Sequence, residues 1–177
     1  MKMYKDMSKI LNEGKEGDFS LEKYTIEKND FMAHIQGIPN GEYIRLTNRE
    51  CIMSNTPMEK RTNTEFICNA NGDVFIAGLG IGLIILPIQE KEEVKSITVL
   101  EKYSEIIKLV GDQLPLNDKV KIIQGDVFNY EFPKGTKFDA IYFDIWNYIN
   151  DDVYEEMKLL KRICPHSRDF SHELGQL

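Results

Sequence analysis

Residues 72–83 have the sequence Gly-Asp-Val-Phe-Ile-Ala-Gly-Leu-Gly-Ile-Gly-Leu, and this stretch decides the fold. Its first half is apolar and predicts a buried strand over Val74–Ala77. Its second half places glycine at Gly78, Gly80 and Gly82, where the missing side chains allow a sharp turn and a close backbone approach before a helix. A strand that leads into such a loop indicates a ligand-binding turn, and the alternative is a tight turn without a ligand.

Two carboxylates follow at the ends of the next two predicted strands. Glu101 closes the strand Ser96–Glu101, nineteen residues after Gly82, where a carboxylate can accept both hydroxyls of a ribose. Asp126 follows the strand Val120–Gln124 and would lie level with an adenine ring. Together, the loop and the two acids predict a nucleoside site at one edge of a sheet. Taken singly, Glu101 is also compatible with a solvated strand end, and Asp126 with the cap of a short helix.

This part of the chain alternates strands with helices, which predicts an α/β fold with a parallel, Rossmann-like sheet. The fourth strand, Phe138–Asp144, is an apolar run of the kind found in strands covered on both faces. Only fourteen residues follow Ile163, so the sheet is expected to be truncated after this strand. We expect the N-terminal region or a second copy of the chain, in a homo-oligomer, to cover the open edge. Helices are predicted at Ile81 to about Lys91, Tyr103–Leu114 and Asp152–Ile163.

The chain divides into four predicted regions. Residues 1–20 predict a flexible arm, residues 21–70 a small β meander with a capped helix, residues 71–164 the Rossmann-like domain, and residues 165–177 an irregular tail. The helix should begin at Pro57, because Thr56-Pro-Met-Glu59 has the pattern of a capping box with proline at the first position. The strands of the meander are predicted at Thr25–Glu27, Phe31–Gln36, Tyr43–Leu46 and Cys51–Met53.

Composition limits the classes of function. The chain has 177 residues, 42% of them hydrophobic, which is enough for a medium domain with a core. A formal net charge of −7 makes nucleic acid an unlikely partner but does not exclude a small cationic substrate. No segment is apolar for long enough to cross a bilayer, so no membrane association is expected. Three widely spaced cysteines favour a reducing compartment, and we expect the protein in the cytoplasm.

Details of the glycine loop narrow the choice of ligand. A dinucleotide fingerprint requires Gly-x-Gly-x-x-Gly, whereas residue 83 is leucine and Gly82 comes one position early. An aspartate after the third strand, here Asp126, is also unusual in dinucleotide sites. Both features favour a nucleoside without a pyrophosphate. No metal is expected, because His34, His166 and His172 lack the spacing of metal ligands.

These motifs resemble the class I S-adenosylmethionine-dependent methyltransferase superfamily, and within it the spermidine-synthase-like branch. The apolar lead-in before the loop is similar to that of the aminopropyltransferases, whereas methyltransferases usually have an acidic residue at the position of Ile76. The meander and the capped helix are similar to the N-terminal β-domain of that branch. The resemblance implies S-adenosylmethionine or its decarboxylated form as cofactor. It implies that the methionine portion passes Gly78, Gly80 and Gly82, that the ribose binds Glu101, and that the adenine binds Asp126 and Val127.

The fourth strand ends at Asp144, which Ile145 and Trp146 follow. In spermidine synthases an aspartate at this strand end is the catalytic base, and the resemblance implies that role for Asp144. A carboxylate there can accept a proton from an amine or hold a cationic acceptor. The alternative is a polar group that only holds the loop. Trp146 is expected to pack over the site rather than to stack on a ligand.

Three functions are compatible with these residues. The first is methyl transfer from S-adenosylmethionine to a small molecule, with Asp144 as the catalytic residue. The second is aminopropyl transfer from decarboxylated S-adenosylmethionine, which predicts no carboxylate-binding group near the glycine loop and an acidic channel around Asp144. The third is a non-catalytic nucleoside-binding or assembly module, which the shortage of predicted strands favours.

Overall fold

A computed structural model describes residues 3–146 and 151–165. It contains an antiparallel sheet of four strands followed by a parallel sheet of four strands. This arrangement confirms the predicted α/β fold, with a Rossmann-like sheet preceded by a small β region. The predicted irregular tail, residues 165–177, lies outside the described residues apart from Pro165.

Eight strands and six α-helices lie within the described ranges. The strands are β1 (Gly14–Glu16), β2 (Phe19–Ile26), β3 (Gly41–Asn48), β4 (Glu50–Ser54), β5 (Gly72–Ala77), β6 (Val94–Glu101), β7 (Val120–Gln124) and β8 (Ala140–Phe143). The helices are α1 (Met7–Ile10), α2 (Phe31–Ile35), α3 (Pro57–Asn69), α4 (Ile85–Ile88), α5 (Ser104–Leu109) and α6 (Asp151–Ile163), and a 3-10 helix spans Gly111–Gln113. No helix in these ranges combines the length and the apolar character needed to cross a membrane.

The parallel sheet brings four strand ends to one edge. Its strand order is β7-β6-β5-β8, and Ala77 at the end of β5 pairs with Leu100 of β6 and Phe143 of β8. The central strand β5 is an apolar run whose residues 74–77 are all buried, as expected for a strand covered on both faces. Among the described residues β8 pairs only with β5, so it is the last strand of this sheet.

Two helices beside the parallel sheet are shorter than the sequence predicts. Residues 81–84 form turns and a bend, and only Ile85–Ile88 is helical, whereas the prediction began at Ile81. Gly82 has a φ of +75°, which a right-handed helix does not allow, so the helix starts later. The predicted helix Tyr103–Leu114 breaks at Val110, whose φ of −115° departs from α-helical geometry.

Residues 7–20 belong to the folded core, which corrects the flexible arm predicted for residues 1–20. Asp6 caps α1 by accepting a hydrogen bond from the N–H of Ser8, and β1 pairs with β2. Met7 and Leu11 are only 1% and 0% exposed. The prediction failed because these two apolar side chains, spaced i and i+4, outweigh the polar residues around them.

The N-terminal sheet differs from the predicted meander, because β1 was not predicted and β2 begins at Phe19, before the predicted strand Thr25–Glu27. The prediction of a strand at Phe31–Gln36 is wrong, since Phe31–Ile35 forms α2. Asp30 stabilises this helix, because its Oδ1 accepts a hydrogen bond from the N–H of Ala33 at 3.0 Å. The predicted strands Tyr43–Leu46 and Cys51–Met53 lie within β3 and β4.

The two sheets share one apolar core. Buried side chains of the N-terminal sheet, among them Leu46 and Met53, belong to the same cluster as Leu79 and Ile81 of the glycine loop. Such contacts remove apolar surface from water, which stabilises the packing at about 25 cal/mol per Å². The N-terminal sheet therefore lies directly against the loop and forms one wall of the space above it.

Helix α3 connects the two sheets and begins at Pro57, as the capping-box pattern predicts. The N-cap residue Thr56 makes no side-chain cap bond, and its hydroxyl pairs instead with Ser54 Oγ at 3.1 Å. Further along the helix, the buried Asn63 Oδ1 accepts a hydrogen bond from the hydroxyl of Tyr142 at 2.6 Å. Within the described part of the chain, the Nδ2 atom of Asn63 has no hydrogen-bond partner.

The Tyr142→Phe substitution should lower the free energy of unfolding by about 1–3 kcal/mol, because it leaves the buried Asn63 amide without its only hydrogen bond. Urea unfolding measures the change. Tyr154→Phe is the matched control, since Tyr154 on α6 is 62% exposed and its loss should change the stability by less than about 0.5 kcal/mol. Equal stability of the two variants would show that the Asn63–Tyr142 bond contributes nothing.

Candidate functional site

The carboxyl ends of the parallel strands border a cleft with a volume of about 320 Å³. The N-terminal sheet supplies its opposite wall through β2, β3 and β4. The cleft brings together all but one of the residues predicted from the sequence. Those that line it are Gly78, Gly80, Glu101, Asp126, Val127 and Asp144.

Gly78 directly follows β5 and lies against the backbone that follows β8. Its N–H donates to the carbonyl of Leu100 at 2.9 Å, and its φ is +96°. A Cβ at this position would lie 2.2 Å from the carbonyl oxygen of Asp144. Only glycine fits here, because both the backbone conformation and the contact exclude a side chain.

Gly80 lies between the two walls of the cleft. Its φ is +52°, and a Cβ there would lie 2.5 Å from Met53 Sδ of β4 and 3.8 Å from Asp144 Oδ2. The backbone of Gly80 therefore lies close to both the thioether of Met53 and the carboxylate of Asp144.

Gly82 does not line the cleft. It is buried against Leu114, whose Cδ1 would lie 2.5 Å from an added Cβ. The loop here packs against Leu114, in the segment after the 3-10 helix, and the contact of Gly82 with a cofactor stays a prediction. Glycine is required at this position for that close approach and for the positive φ.

Glu101 ties the glycine loop to the end of β6. Its Oε2 accepts a hydrogen bond from the N–H of Leu79 and its Oε1 one from the N–H of Tyr103, both at 2.8 Å. The residue is 4% exposed, so it is not a solvated strand end. Burial raises the pKa of the Glu101 carboxyl above its ordinary value, although the N–H groups of Tyr103, Leu79 and Lys102 oppose the shift.

Asp126 makes a local structural contact and also lines the cleft. Its Oδ1 accepts a hydrogen bond from the N–H of Phe128 at 3.1 Å, within a turn and not at the start of the short helix considered above. Its Oδ2 lies 3.0 Å from Nζ of Lys102. Burial alone would raise the pKa of Asp126, but Lys102 and the Phe128 N–H outweigh burial and hold the pKa below its ordinary value. Val127 beside it is buried and lines the cleft.

Asp144 directly follows β8, and its N–H donates to the carbonyl of Ala77 at 2.8 Å. Its side chain is partly buried in the cleft. Burial raises the pKa of Asp144 to about 7, and the negative charges of Glu59 and Glu101 add to this shift. Glu59, which the sequence assigns to the cap of α3, therefore also acts electrostatically on the cleft.

Trp146 and Glu156 join the segment after β8 to helix α6. The indole Nε1 of Trp146 donates to Glu156 Oε2 at 2.6 Å, and its ring makes an edge contact with Phe143. Trp146 is partly buried and lines the cleft together with Glu156. Both features agree with a packing role for Trp146.

Several residues of the cleft have no motif that could reveal them. The apolar wall comes from the antiparallel sheet, far from the glycine loop in sequence, and Tyr103 reaches it by packing its ring on Phe19 at 4.8 Å. Only knowledge of how the two sheets pack could have identified this wall. Its members are Phe19, Leu46, Asn48, Ile52 and Met53.

The cleft carries an excess of negative charge. Among the described residues that line it, four are acidic and only Lys102 is a lysine or arginine, and Lys102 is paired with Asp126. The acidic residues are Glu101, Asp126, Asp144 and Glu156. Within the described ranges no group of three His, Cys, Asp or Glu side chains is placed to hold a metal ion.

Comparison with known proteins gives a structural likeness without a sequence match. No protein-family model and no curated protein matches the chain. Spermidine synthase from Thermotoga maritima superimposes with a TM-score of 0.54 and 12% identity, covering 88% of this chain and 52% of that one. A spermidine synthase in complex with the transition state analogue AdoDATO gives a TM-score of 0.53 and 12% identity, covering 87% of this chain and 52% of that one.

The chain spans about half the length of the solved structures that it resembles. A third structure, the 23S rRNA methyltransferase ErmE, matches 60% of this chain with a TM-score of 0.46 and 14% identity. The two spermidine synthase matches extend over both sheets, because they cover far more of the chain than the parallel sheet alone. The chain therefore shares the fold of these spermidine synthases over both of its sheets.

Proposed function

We propose that the protein is a group-transfer enzyme that binds a sulfonium nucleoside of the S-adenosylmethionine type and acts on a small-molecule acceptor. One observation carries this proposal: a single cleft holds a glycine loop, a buried glutamate, a cleft-facing aspartate and an aspartate with a raised pKa. The first three are the groups that a nucleoside needs, and the fourth is a candidate base beside them.

The residues of the cleft fit the proposed cofactor. Glu101 Oε2 accepts the N–H of Leu79 and Oε1 that of Tyr103, and because a carboxylate has about four lone-pair sites it keeps acceptor capacity for the hydroxyls of a ribose. Asp126 can accept a hydrogen bond from an exocyclic amino group, with Val127 as an apolar contact. The volume of about 320 Å³ lies near the lower end of the range for small-molecule sites.

The charges of the cleft favour an amine as the acceptor. Four carboxylates attract a cation and repel an anionic acceptor. Asp144 would take the proton that the amine nitrogen loses as it forms its new bond, and a pKa of about 7 suits that task near neutral pH. The bound nucleoside would supply a carbon activated by the neighbouring positive sulfur, which would leave as a neutral thioether when its bond to that carbon breaks. Alignment by the cleft is therefore the main catalytic requirement.

The donor is either S-adenosylmethionine, for methyl transfer, or its decarboxylated form, for aminopropyl transfer. One observation favours the second candidate. In the described lining of the cleft the only cation, Lys102, is paired with Asp126, and the loop glycine Gly80 lies beside the carboxylate of Asp144. A donor carboxylate near the loop would find no cationic partner and would be repelled by Asp144, whereas the decarboxylated donor avoids both costs.

Calorimetric titration with S-adenosylmethionine, its decarboxylated form, methylthioadenosine and NAD tests the proposal, followed by turnover assays with amine acceptors. Micromolar binding of the adenosyl compounds but not of NAD supports it. Binding without turnover of any acceptor would instead favour a non-catalytic nucleoside-binding module. Absence of binding by all four compounds would contradict the proposed function.

The Glu101→Gln substitution should weaken methylthioadenosine binding by roughly tenfold to a hundredfold, because hydrogen bonds to a charged acceptor are lost. Calorimetry measures the affinity, and a thermal melt confirms that the variant is folded at the titration temperature. Glu90→Gln is the control, since Glu90 is an exposed acid paired with Lys5 and outside the cleft. Equal affinities for Glu101→Gln and wild type would exclude Glu101 from the site.

The Asp144→Asn substitution should reduce turnover by about 10²–10⁴-fold, as expected when a general base is removed. In the wild type, kcat/KM should rise with pH through about 7, the pKa of the Asp144 carboxyl in the free enzyme. The pH profile of Asp144→Asn should lack this rise near pH 7, while the rise caused by deprotonation of the amine itself should remain. Asp112→Asn, which changes an exposed acid, should keep both features of the profile. An unchanged pH profile in Asp144→Asn would rule out Asp144 as the base.

Asp144 should also make the free protein less stable as pH rises. Its folded pKa of about 7 exceeds the ordinary value, so the folded state holds a proton that the unfolded state has lost. Stability from this group is therefore lost as pH increases from about 4 to about 7. The difference in unfolding free energy between Asp144→Asn and wild type should therefore increase by about 1–3 kcal/mol from pH 5 to pH 8, in favour of the variant. Solvent at the cleft screens the Asp144 carboxylate and keeps this change modest. Urea unfolding at both pH values measures the difference, and a constant difference would contradict the raised pKa.

A further inference from the structure

The glycine loop makes an unusual contact with the N-terminal sheet. The N–H of Ile81 donates to Met53 Sδ at 3.4 Å, and the same sulfur lies over Gly80. Met53 is 5% exposed and lines the cleft. A side chain from β4 therefore covers the part of the loop that faces the ligand space.

Two neighbouring N–H groups of the loop, those of Leu79 and Gly82, are also engaged. The N–H of Leu79 donates to Glu101 Oε2, and the N–H of Gly82 donates to the carbonyl of Leu79 at 2.9 Å. Free N–H groups of a glycine loop are the usual partners of an anionic group on a ligand. With Ile81 covered by Met53, a carboxylate over this loop loses the donor that would otherwise face it.

A second group near Gly80 is also unfavourable for an anion. Asp144 Oδ2 lies 3.8 Å from the position of a Cβ on Gly80, the same position that the Met53 sulfur approaches. A group that lies over Gly80 thus meets both a polarisable thioether and a carboxylate. Methylene and ammonium groups suit such a place, and a carboxylate does not.

We propose that Met53 determines which donor the cleft accepts. Its thioether occupies both the space over Gly80 and the Ile81 N–H, and so excludes a donor that carries a carboxylate at its amino-acid end. This inference rests on the proposed function and deepens it, because it assigns the choice between S-adenosylmethionine and its decarboxylated form to one side chain of the N-terminal sheet. The selecting residue belongs to β4 and not to the nucleoside-binding strands.

The test is the ratio of affinities for decarboxylated and intact S-adenosylmethionine, measured by calorimetry for each protein. Wild type should prefer the decarboxylated donor by at least about tenfold, the size expected from one charge-assisted hydrogen bond. Met53→Ala uncovers the Ile81 N–H and should reduce this ratio by about tenfold. Met53→Leu keeps the covering volume and should keep the ratio. Ile52→Ala, which removes apolar volume from the same strand and cleft without exposing that N–H, should also keep it.

The outcomes separate this inference from the function on which it rests. Methylthioadenosine lacks the amino-acid end, so its failure to bind wild type would overturn the nucleoside site itself. Methylthioadenosine binding together with a wild-type ratio near one would overturn only the role of Met53, and this holds even if Met53→Ala does not fold. An unchanged ratio in folded Met53→Ala, or a reduced ratio in Ile52→Ala alone, would also overturn it.

Discussion

The cleft depends on one buried carboxylate. Glu101 accepts the N–H of Leu79 from the loop after β5 and the N–H of Tyr103 from the turn after β6, so it joins two strand ends that are adjacent in the sheet but distant in sequence. A buried carboxylate is costly unless hydrogen bonds replace its water, and here backbone donors supply them. The fold thereby fixes the direction of the glycine loop. In the proposed function the same carboxylate would bind the ligand, so one group would serve both the structure and the binding.

The N-terminal sheet completes what Glu101 begins. The parallel strands supply the acidic side of the cleft, while β2, β3 and β4 supply an apolar wall that ends in Met53. Because Met53 and the loop belong to one core cluster, neither sheet can move away without exposing buried surface. The ligand space is therefore a property of the interface between the sheets, and the side chains that select among ligands need not belong to the nucleoside-binding motif.

The sequence predicts the parts of the site that depend on local geometry and misses those that depend on packing. Gly78, Glu101 and Asp126 follow strands whose apolar runs are easy to identify, and parallel pairing brings such ends together. Gly82 follows the same spacing but packs on Leu114, a contact that no spacing encodes. The wall residues Phe19 and Met53 lie on another sheet. The sequence of Phe31–Gln36 predicts a strand. In the structure this segment forms a helix that Asp30 caps, and a single capping residue is a weak signal in a sequence.

The surroundings of Asp144 favour cationic ligands in the cleft. Burial and the charges of Glu59 and Glu101 make its ionised form unfavourable, so the free cleft near neutral pH holds its Asp144 proton only partially. A positive group that enters the cleft stabilises the ionised form and lowers that pKa, and binding therefore releases a proton. An anionic group would raise the pKa further and would meet no unpaired lysine or arginine in the described lining. The cost of ionising Asp144 therefore has two effects. It destabilises the free protein at higher pH, and it favours cations over anions as ligands of the cleft.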